Sequence, residues 1–131
     1  MKKDIQIPIV KDVHVAIVHE WDTDMLNKNW SAYLINNRNT AIEMAIVVSK
    51  GYNETQKTAT MRHGIGAVEA NSFKKIEPLQ EEIFVLNNEF FLTFFADNKL
   101  YEKKFMFKKN TIDKKNLTPV LLIGKEGILA H

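Results

Sequence analysis

The chain contains no cysteine and carries little net charge. The absence of cysteine excludes a disulfide framework, a thiolate metal site and a cysteine nucleophile. A formal net charge of +2 at pH 7 is too small to indicate a polyanionic partner. The sequence also shows no internal repeat, low-complexity segment or linker.

Long apolar runs are missing as well. Runs such as residues 45–48 and 120–123 are far short of the ~20 residues that a membrane-spanning helix needs. At the N-terminus, Asp4, Gln6 and Lys11 interrupt any apolar segment before it reaches the length of a signal peptide. We therefore expect a cytoplasmic protein without a membrane-spanning segment.

Length and composition fit one globular domain that spans residues 1–131. A domain of this size buries about two-thirds of the surface that its unfolded chain exposes. Hydrophobic residues make up 45% of the chain and charged residues 26%, as in ordinary globular proteins. The chain can therefore form a core without disulfides or a structural metal.

Two segments have the pattern of β-hairpins. In residues 30–52, two runs rich in apolar, β-branched and aromatic residues flank the polar stretch 37–40. The second run loses its alternation from Met44 onward, which favours a central strand covered on both faces. In residues 90–107, an aromatic run and a return strand flank the turn 97–99, and alternation predicts one buried and one wet face.

Shorter patterns predict further strands, at residues 5–10, 13–21, 57–63 and 117–123. The segment that begins at Pro78 has apolar residues at helical spacing, so a short helix competes there with a strand. Residues 64–66 are predicted to form a flexible break, and residues 124–127 to turn the chain toward a frayed end.

These elements predict an all-β fold of about seven or eight antiparallel strands with at most one short helix. The spacing of the strands favours an immunoglobulin-like β-sandwich, with a small barrel as the alternative. All eight phenylalanines lie between Phe73 and Phe107, while the first half supplies aliphatic residues and both tryptophans. Two facing sheets of different composition would explain this split, and a single curved sheet would explain it too.

One short motif has the composition of an anion site, and it consists of Arg62, His63, Gly64 and Gly66. A glycine pair beside a base and a cation can hold an anion on backbone N–H groups. The motif lacks the further residues of a dinucleotide-binding or P-loop sequence, and a plain turn is the more common structure for such a segment.

Lysines concentrate in the last third of the chain, and the candidates for nucleic-acid binding are Lys103, Lys104, Lys108 and Lys109. Aromatic residues alternate with them, and such a surface can bind single-stranded nucleic acid by stacking and phosphate contacts. These aromatic residues, however, mostly lie on the face expected to be buried. The lysines fit equally well a solubilising face or the protection of an edge strand.

Self-association is predicted because a small sandwich has exposed edge strands. The edge at residues 5–10 is protected by Pro8 and nearby lysines. The edge at residues 57–63 carries only small or apolar residues in its middle, among them Thr58, Thr60 and Met61. We expect a homodimer paired through this second edge.

No metal, cofactor or catalytic residue is predicted. His14 and His19 lie five positions apart, so on one strand they point to opposite faces and cannot share a metal ion. An enzyme could arise only if folding brought Arg62, His63 and Glu20 into one cleft.

Five segments carry a resemblance to known proteins: residues 30–36, 48–52, 61–64, 88–91 and 110–112. In these segments the chain resembles a group of small bacterial proteins of about this length, some labelled as phenylalanyl-tRNA synthetase subunits. The resemblance implies a class II synthetase that uses ATP, phenylalanine and tRNA, with an antiparallel catalytic sheet. Ala70 stands where the class II motif has arginine, so no catalytic residue is transferred.

The sequence therefore favours a non-enzymatic cytoplasmic module that binds another protein or a second copy of itself. The alternative is a protein associated with RNA or tRNA, such as an accessory of phenylalanyl-tRNA synthetase. The lysine pairs and the resemblance support this alternative.

Overall fold

A computed structural model describes residues 8–130 of the chain as two antiparallel β-sheets. Their nine strands are β1 Val13–Trp21, β2 Lys28–Asn36, β3 Ile42–Tyr52, β4 Met61–Val68, β5 Ser72–Leu79, β6 Asn87–Ala96, β7 Lys99–Phe107, β8 Thr118–Pro119 and β9 Glu126–Leu129. Two short 3₁₀ helices, Glu81–Val85 and Lys114–Asn116, complete the described secondary structure. The predicted all-β sandwich is thus confirmed.

The sheets pack against each other through alternate residues of their strands. Sheet A has the strand order β5-β2-β1-β9-β8, and sheet B has the order β4-β3-β6-β7. From sheet A, β1 contributes Val13, Val15 and Ile17 to the shared core, and from sheet B, β6 contributes Phe90 and Leu92. The aromatic core residues of sheet B come from β6 and β7, whereas β3 and β4 contribute aliphatic residues, so the split in composition follows the two sheets only in part.

The hairpin predicted over residues 30–52 is wrong, because β2 and β3 lie in different sheets. The turn between them is built around the buried side chain of Asn36. Its Nδ2 donates to three backbone carbonyls, those of Thr40, Val68 and Glu69. These bonds hold the chain where it crosses between the sheets, and β2 pairs along its whole length with β1 instead. The central position predicted for β3 is confirmed, since it lies between β4 and β6. The predicted cover on both of its faces is wrong, because Met44 is 66% exposed and Ile46 and Val48 are only partly buried.

The second predicted hairpin is confirmed as β6 and β7, which pair from Asn88 and Phe107 to Ala96 and Lys99. Asp97 and Asn98 form its two-residue turn with φ angles of 54° and 62°. Asparagine and aspartate tolerate this left-handed conformation better than most residues, and its twist suits a hairpin. In β7, the side chains predicted to be buried are buried, namely Tyr101, Phe105 and Phe107.

The C-terminal segment covers the outer face of sheet A. The predicted strand 117–123 is reduced to β8, and the predicted turn at residues 124–127 overlaps β9, which enters the sheet between β1 and β8. The predicted frayed end at His131 lies outside the described residues. Val120 packs on the outward residues of β1 and β2, a second small core formed with Ala16, Val18, Tyr33 and Ile35. Both faces of β1 are therefore buried, so apolar and polar residues alternate only weakly along this strand.

Three other predictions are settled by the strand bounds. The flexible break at residues 64–66 is wrong, because β4 runs through it with a bulge at Gly66, whose φ is 81°. The predicted strand 57–63 begins only at Met61. The segment after Pro78 first completes β5 and then forms the 3₁₀ helix Glu81–Val85.

The predicted edge strand at residues 5–10 lies largely outside the described part of the chain, and residues 8–10 are not in a strand. Between residues 8 and 130, no helix is long and apolar enough to cross a membrane.

Candidate functional site

A groove of about 810 Å³ opens at one end of the outer face of sheet A. Its floor is formed by the ends of β1 and β2, and one wall by the turn that joins these strands. The other wall is formed by the end of β5 and the 3₁₀ helix that follows it. Both tryptophans of the chain, Trp21 and Trp30, line this groove.

The carboxylate of Glu20 is the polar centre of the groove floor, and this residue is only 7% exposed. The hydroxyl of Tyr33 donates to it, with 2.9 Å to each carboxylate oxygen. The Nζ of Lys125 lies 2.9 Å from Oε1, and the Nζ of Lys75 lies 3.3 Å from Oε2. Both lysine side chains remain about half exposed, so one buried carboxylate holds two accessible ammonium groups.

The strand register explains why these groups meet. Glu20 has the same parity on β1 as Ala16 and Val18, so it points to the outer face. Tyr33 of β2 lies opposite Lys75 of β5 in the ladder, which places both side chains on that same face. The turn between β8 and β9 brings Lys125 over them.

The wall beside this cluster is held by aromatic packing. The ring of Trp30 stacks on His19 at a centroid distance of 4.3 Å and meets Phe84 edge-on at 5.4 Å. Its indole N–H donates to Oε2 of Glu81 at 3.1 Å. Trp21, in contrast, is half exposed, and the Nζ of Lys28 lies 5.5 Å from its ring centroid. The groove thus combines a fixed aromatic wall with an accessible indole.

The electrostatics of the cluster favour a charged Glu20. Burial raises the pKa of this carboxyl, but hydrogen bonds from Lys125 and Tyr33 and the charge of Lys75 lower it, and the lowering prevails. Burial and the neighbouring Glu20 raise the pKa of Tyr33, so its hydroxyl stays protonated as a donor. Two ammonium groups on one carboxylate leave a surplus positive charge on the groove floor.

Replacing Glu20 with glutamine is expected to lower the free energy of unfolding at neutral pH by about 1–3 kcal/mol, because two ammonium groups lose their counterion. The folded pKa of Glu20 is depressed, so this contribution is complete above the ordinary glutamate pKa of about 4.3. It is lost as the pH falls through the folded pKa. Urea unfolding of both proteins at neutral pH and at several values below about pH 4 measures the difference.

The exposed carboxylate of Glu126 provides the control for this experiment. Glu126→Gln should match the wild type at every pH. If Glu20→Gln lost the same stability at neutral and at acidic pH, the effect would come from packing and not from the charge of Glu20.

The residues of the anion-binding prediction are not gathered into one pocket. Arg62 and His63 are consecutive on β4, so their side chains point to opposite faces. The Nε2 of His63 lies 2.7 Å from Oε1 of Glu77 on β5, which joins neighbouring edges of the two sheets. Gly64 and Gly66 lie within the strand. Anion binding by this group stays a prediction from the sequence.

The four lysines of the nucleic-acid prediction are also dispersed. The Nζ of Lys103 lies 5.1 Å from the ring centroid of Phe105, and Lys104 has the opposite parity on β7. Lys109 pairs with Glu54 at 3.4 Å, and Lys108 is exposed just beyond the end of β7. Lys103 and Lys104 therefore point to opposite faces of β7.

The predicted pairing edge is only partly a strand. β4 is an edge of sheet B, as predicted, and Met61 begins it with a half-exposed side chain. Thr58 and Thr60 precede the strand. The backbone N–H of Thr58 donates to the carbonyl of Gly51 at 2.8 Å, and its hydroxyl accepts from the N–H of Gly51 at 2.9 Å. Pairing of two chains through this edge stays a prediction.

The residues of the possible enzyme do not share a cleft. Glu20 lies on the outer face of sheet A, His63 contacts Glu77, and Arg62 points away from His63. Among residues 8–130, no three histidine or carboxylate side chains come close enough to hold a metal ion. The groove around Glu20 is therefore the best-formed candidate site in the described chain.

No protein-family model matches the chain, and no curated protein is significantly similar to it. The resemblance to proteins labelled as phenylalanyl-tRNA synthetase subunits therefore stays an expectation from the sequence.

Proposed function

We propose that this chain is a cytoplasmic, non-enzymatic binding module with an immunoglobulin-like sandwich, and that it binds an acidic peptide segment of a partner protein. The observation that carries the proposal is the pair of half-exposed ammonium groups, those of Lys75 and Lys125, on the single buried carboxylate of Glu20. A carboxylate on the ligand would balance the surplus charge of this cluster.

The chemistry of the lysines supports an acidic ligand. An ammonium group has three N–H donors, and each of these lysines directs one toward Glu20. The remaining donors face the groove or solvent, since both side chains are half exposed. Glu20 in turn fixes the two ammonium groups in place, so a ligand carboxylate would meet an arranged pair of donors at little cost in side-chain entropy.

The backbone around the groove supports an extended peptide. β5 pairs with β2 only from Trp30 onward, so Lys28 and Asn29 extend past the end of β5. On the side of β2 that faces β5, the backbone of Lys28 and Asn29 borders the groove. An extended peptide segment can form main-chain hydrogen bonds there. The half-exposed ring of Trp21 offers a surface for an apolar side chain of the same segment.

The nucleic-acid alternative receives less support. Asp22, Glu81 and Glu82 line the groove walls beside the two lysines that hold Glu20, so the groove offers positive charge to one carboxylate at that pair but repels an extended polyanion such as a phosphate backbone. Among the candidate lysines, Lys103 and Lys104 point to opposite faces of β7 and Lys109 is paired with Glu54. Association with RNA or tRNA stays a prediction from the sequence.

Tryptophan fluorescence tests the proposal directly, because the only two tryptophans line the groove. Two pools of random hexapeptides serve as probes, one with a glutamate and one with a lysine fixed at a central position. We expect the glutamate pool to change the emission saturably and the lysine pool to leave it unchanged. Lys75→Gln and Lys125→Gln should each weaken binding about tenfold or more, as expected for loss of one charged hydrogen bond.

Lys103→Gln removes a lysine outside the groove and should bind like the wild type. An unchanged emission with both pools would contradict the proposal. Wild-type affinity in both Lys75→Gln and Lys125→Gln would contradict it as well. If bulk tRNA instead bound saturably with a steep salt dependence in a fluorescence-anisotropy titration, the RNA-associated alternative would replace it.

A further inference from the structure

The two sheets differ in what covers their outer faces. The C-terminal segment packs on the outer face of sheet A. The outer face of sheet B carries partly exposed apolar side chains, namely Ile46, Val48, Phe91, Phe95, Leu100 and Met106. Phe95 is 42% exposed and Leu100 is 49% exposed. Charged and polar residues, among them Lys104, Glu102 and Thr93, lie between these apolar side chains on the same face, and a mixed surface of this kind can form a protein interface.

The strand register arranges this face in rows that cross the sheet. One central row consists of Arg62, Val48, Phe91 and Lys104. The adjacent central row consists of Gly64, Ile46, Thr93 and Glu102. Beyond the first row lie Lys50, Glu89 and Met106, and beyond the second lie Glu43, Phe95 and Leu100. On β3, Lys50 and Glu43 thus lie on opposite sides of the line between the two central rows. On β7, Lys104 and Glu102 lie on opposite sides of the same line.

We propose that a second copy of this chain packs face to face on sheet B, related by a two-fold axis that crosses the strands between the two central rows. Each strand then lies opposite the same strand of the partner. Each central row lies opposite the other central row of the partner. Lys104 then lies opposite the partner's Glu102, and Lys50 lies opposite the partner's Glu43. Two sheets packed with their strands nearly aligned are a common arrangement of β-proteins.

Some apolar side chains match under the same axis, whereas Phe91 lies opposite the partner's Thr93 and Phe95 opposite the partner's Glu89. Val48 meets the partner's Ile46, and Met106 meets the partner's Leu100. Arg62 lies opposite the partner's Gly64, and a Cβ built at this glycine would have no heavy atom within 4 Å. The glycine therefore leaves room for the long arginine side chain. Each contact occurs twice, as a two-fold interface requires.

The charges select this axis over the other face-to-face arrangement. An axis parallel to the strands would keep the rows and exchange the strands; it would place Lys50 opposite the partner's Glu89 but Arg62 opposite the partner's Lys104, whereas the proposed axis gives two kinds of opposite-charge contact and no like-charge contact. Like charges in contact across an interface are unfavourable. The proposed dimer also leaves the outer faces of both A sheets accessible, so it would present two Glu20 grooves to a partner and could bind bivalently.

Charge exchange tests the proposed dimer by sedimentation equilibrium. The wild type is expected to be dimeric at about 100 μM. Lys104→Glu and Glu102→Lys should each weaken self-association at least about tenfold, because each creates two like-charge contacts. An equimolar mixture of the two variants should dimerise again, since every charged contact at these positions then pairs opposite charges between the chains.

Recovery of the dimer in the mixture would show that the charges act between chains, because an effect within one chain would persist in the mixture. Lys103→Glu changes the neighbouring residue, which has the opposite parity on β7, and should leave the mass unchanged. Circular dichroism melting checks that all variants are folded. A monomeric wild type at about 100 μM would overturn the proposal. Failure of the mixture to dimerise would overturn it too. Thr60→Pro alters the edge at residues 57–63 through which the sequence predicts pairing, so a dimer dissociated by Thr60→Pro but not by Lys104→Glu would also overturn the proposal.

Discussion

Replacing Phe94 with alanine is expected to lower the free energy of unfolding by about 3–5 kcal/mol. Phe94 is fully buried on the inner side of β6. Its ring stacks on that of Tyr101 with a centroid distance of 5.0 Å and an interplanar angle of 6°. The substitution removes the transfer free energy of a large apolar side chain and leaves a cavity that β6, paired on both sides, cannot close. Urea unfolding of both proteins measures the difference.

The adjacent residue provides a matched control. Phe95 points to the opposite face of the same strand and is 42% exposed. Phe95→Ala should therefore cost less than about 1 kcal/mol, measured at low protein concentration so that self-association does not contribute. A similar loss for both variants would contradict the assignment of the two faces of β6.

This pair of residues also shows which part of the fold can be predicted from the sequence. Along β7 the buried residues Tyr101, Phe105 and Phe107 alternate with more exposed ones, so the period of two is visible, whereas β6 has phenylalanines on both faces and shows no such period in its sequence. The turn residues Asp97 and Asn98 mark the reversal of the chain. The pairing is local, and sequence neighbours alone determine it.

The crossing between the sheets could not be predicted in the same way. Strands β2 and β3 are separated by a short polar segment that also fits a hairpin. Their separation depends on Asn36, whose side chain reaches the carbonyls of Val68 and Glu69, more than thirty positions away. A contact of this range leaves no periodic pattern in either strand. The burial of β1 on both faces likewise depends on Val120, far along the chain.

The candidate site was missed for a related reason. The sequence places Glu20 beside Asp22 and Asp24, which suggests a solvated acidic turn. The groups that hold its carboxylate come from β2, from β5 and from the turn before β9. One signal was present: Glu20 shares its parity on β1 with Ala16 and Val18, so a carboxylate continues an apolar face. Such a carboxylate needs cationic or hydroxyl partners when that face is covered.

Replacing Gly127 with alanine is expected to lower the free energy of unfolding by about 3 kcal/mol or more. Gly127 lies in β9 opposite Val18 on one side and Thr118 on the other. A Cβ at this position would lie 2.5 Å from the backbone oxygen of Ile17 and 3.0 Å from Cα of Val18. Because these neighbours are backbone atoms of a central strand, no change of rotamer relieves the clash. β9 must therefore shift away from β1. This shift also displaces the C-terminal segment that packs on the outer face of sheet A.

Gly64 provides the control, because a Cβ there would have no heavy atom within 4 Å. Gly64→Ala, measured at low protein concentration so that self-association does not contribute, should leave stability unchanged or raise it by up to about 1 kcal/mol, since alanine loses less backbone entropy on folding. Thermal and urea unfolding compare the two variants. Hydrogen exchange of the amides of β9 should be faster in Gly127→Ala than in the wild type, because the strand is displaced from its ladder. A Gly127→Ala protein with wild-type stability and wild-type exchange would contradict the insertion of β9 between β1 and β8.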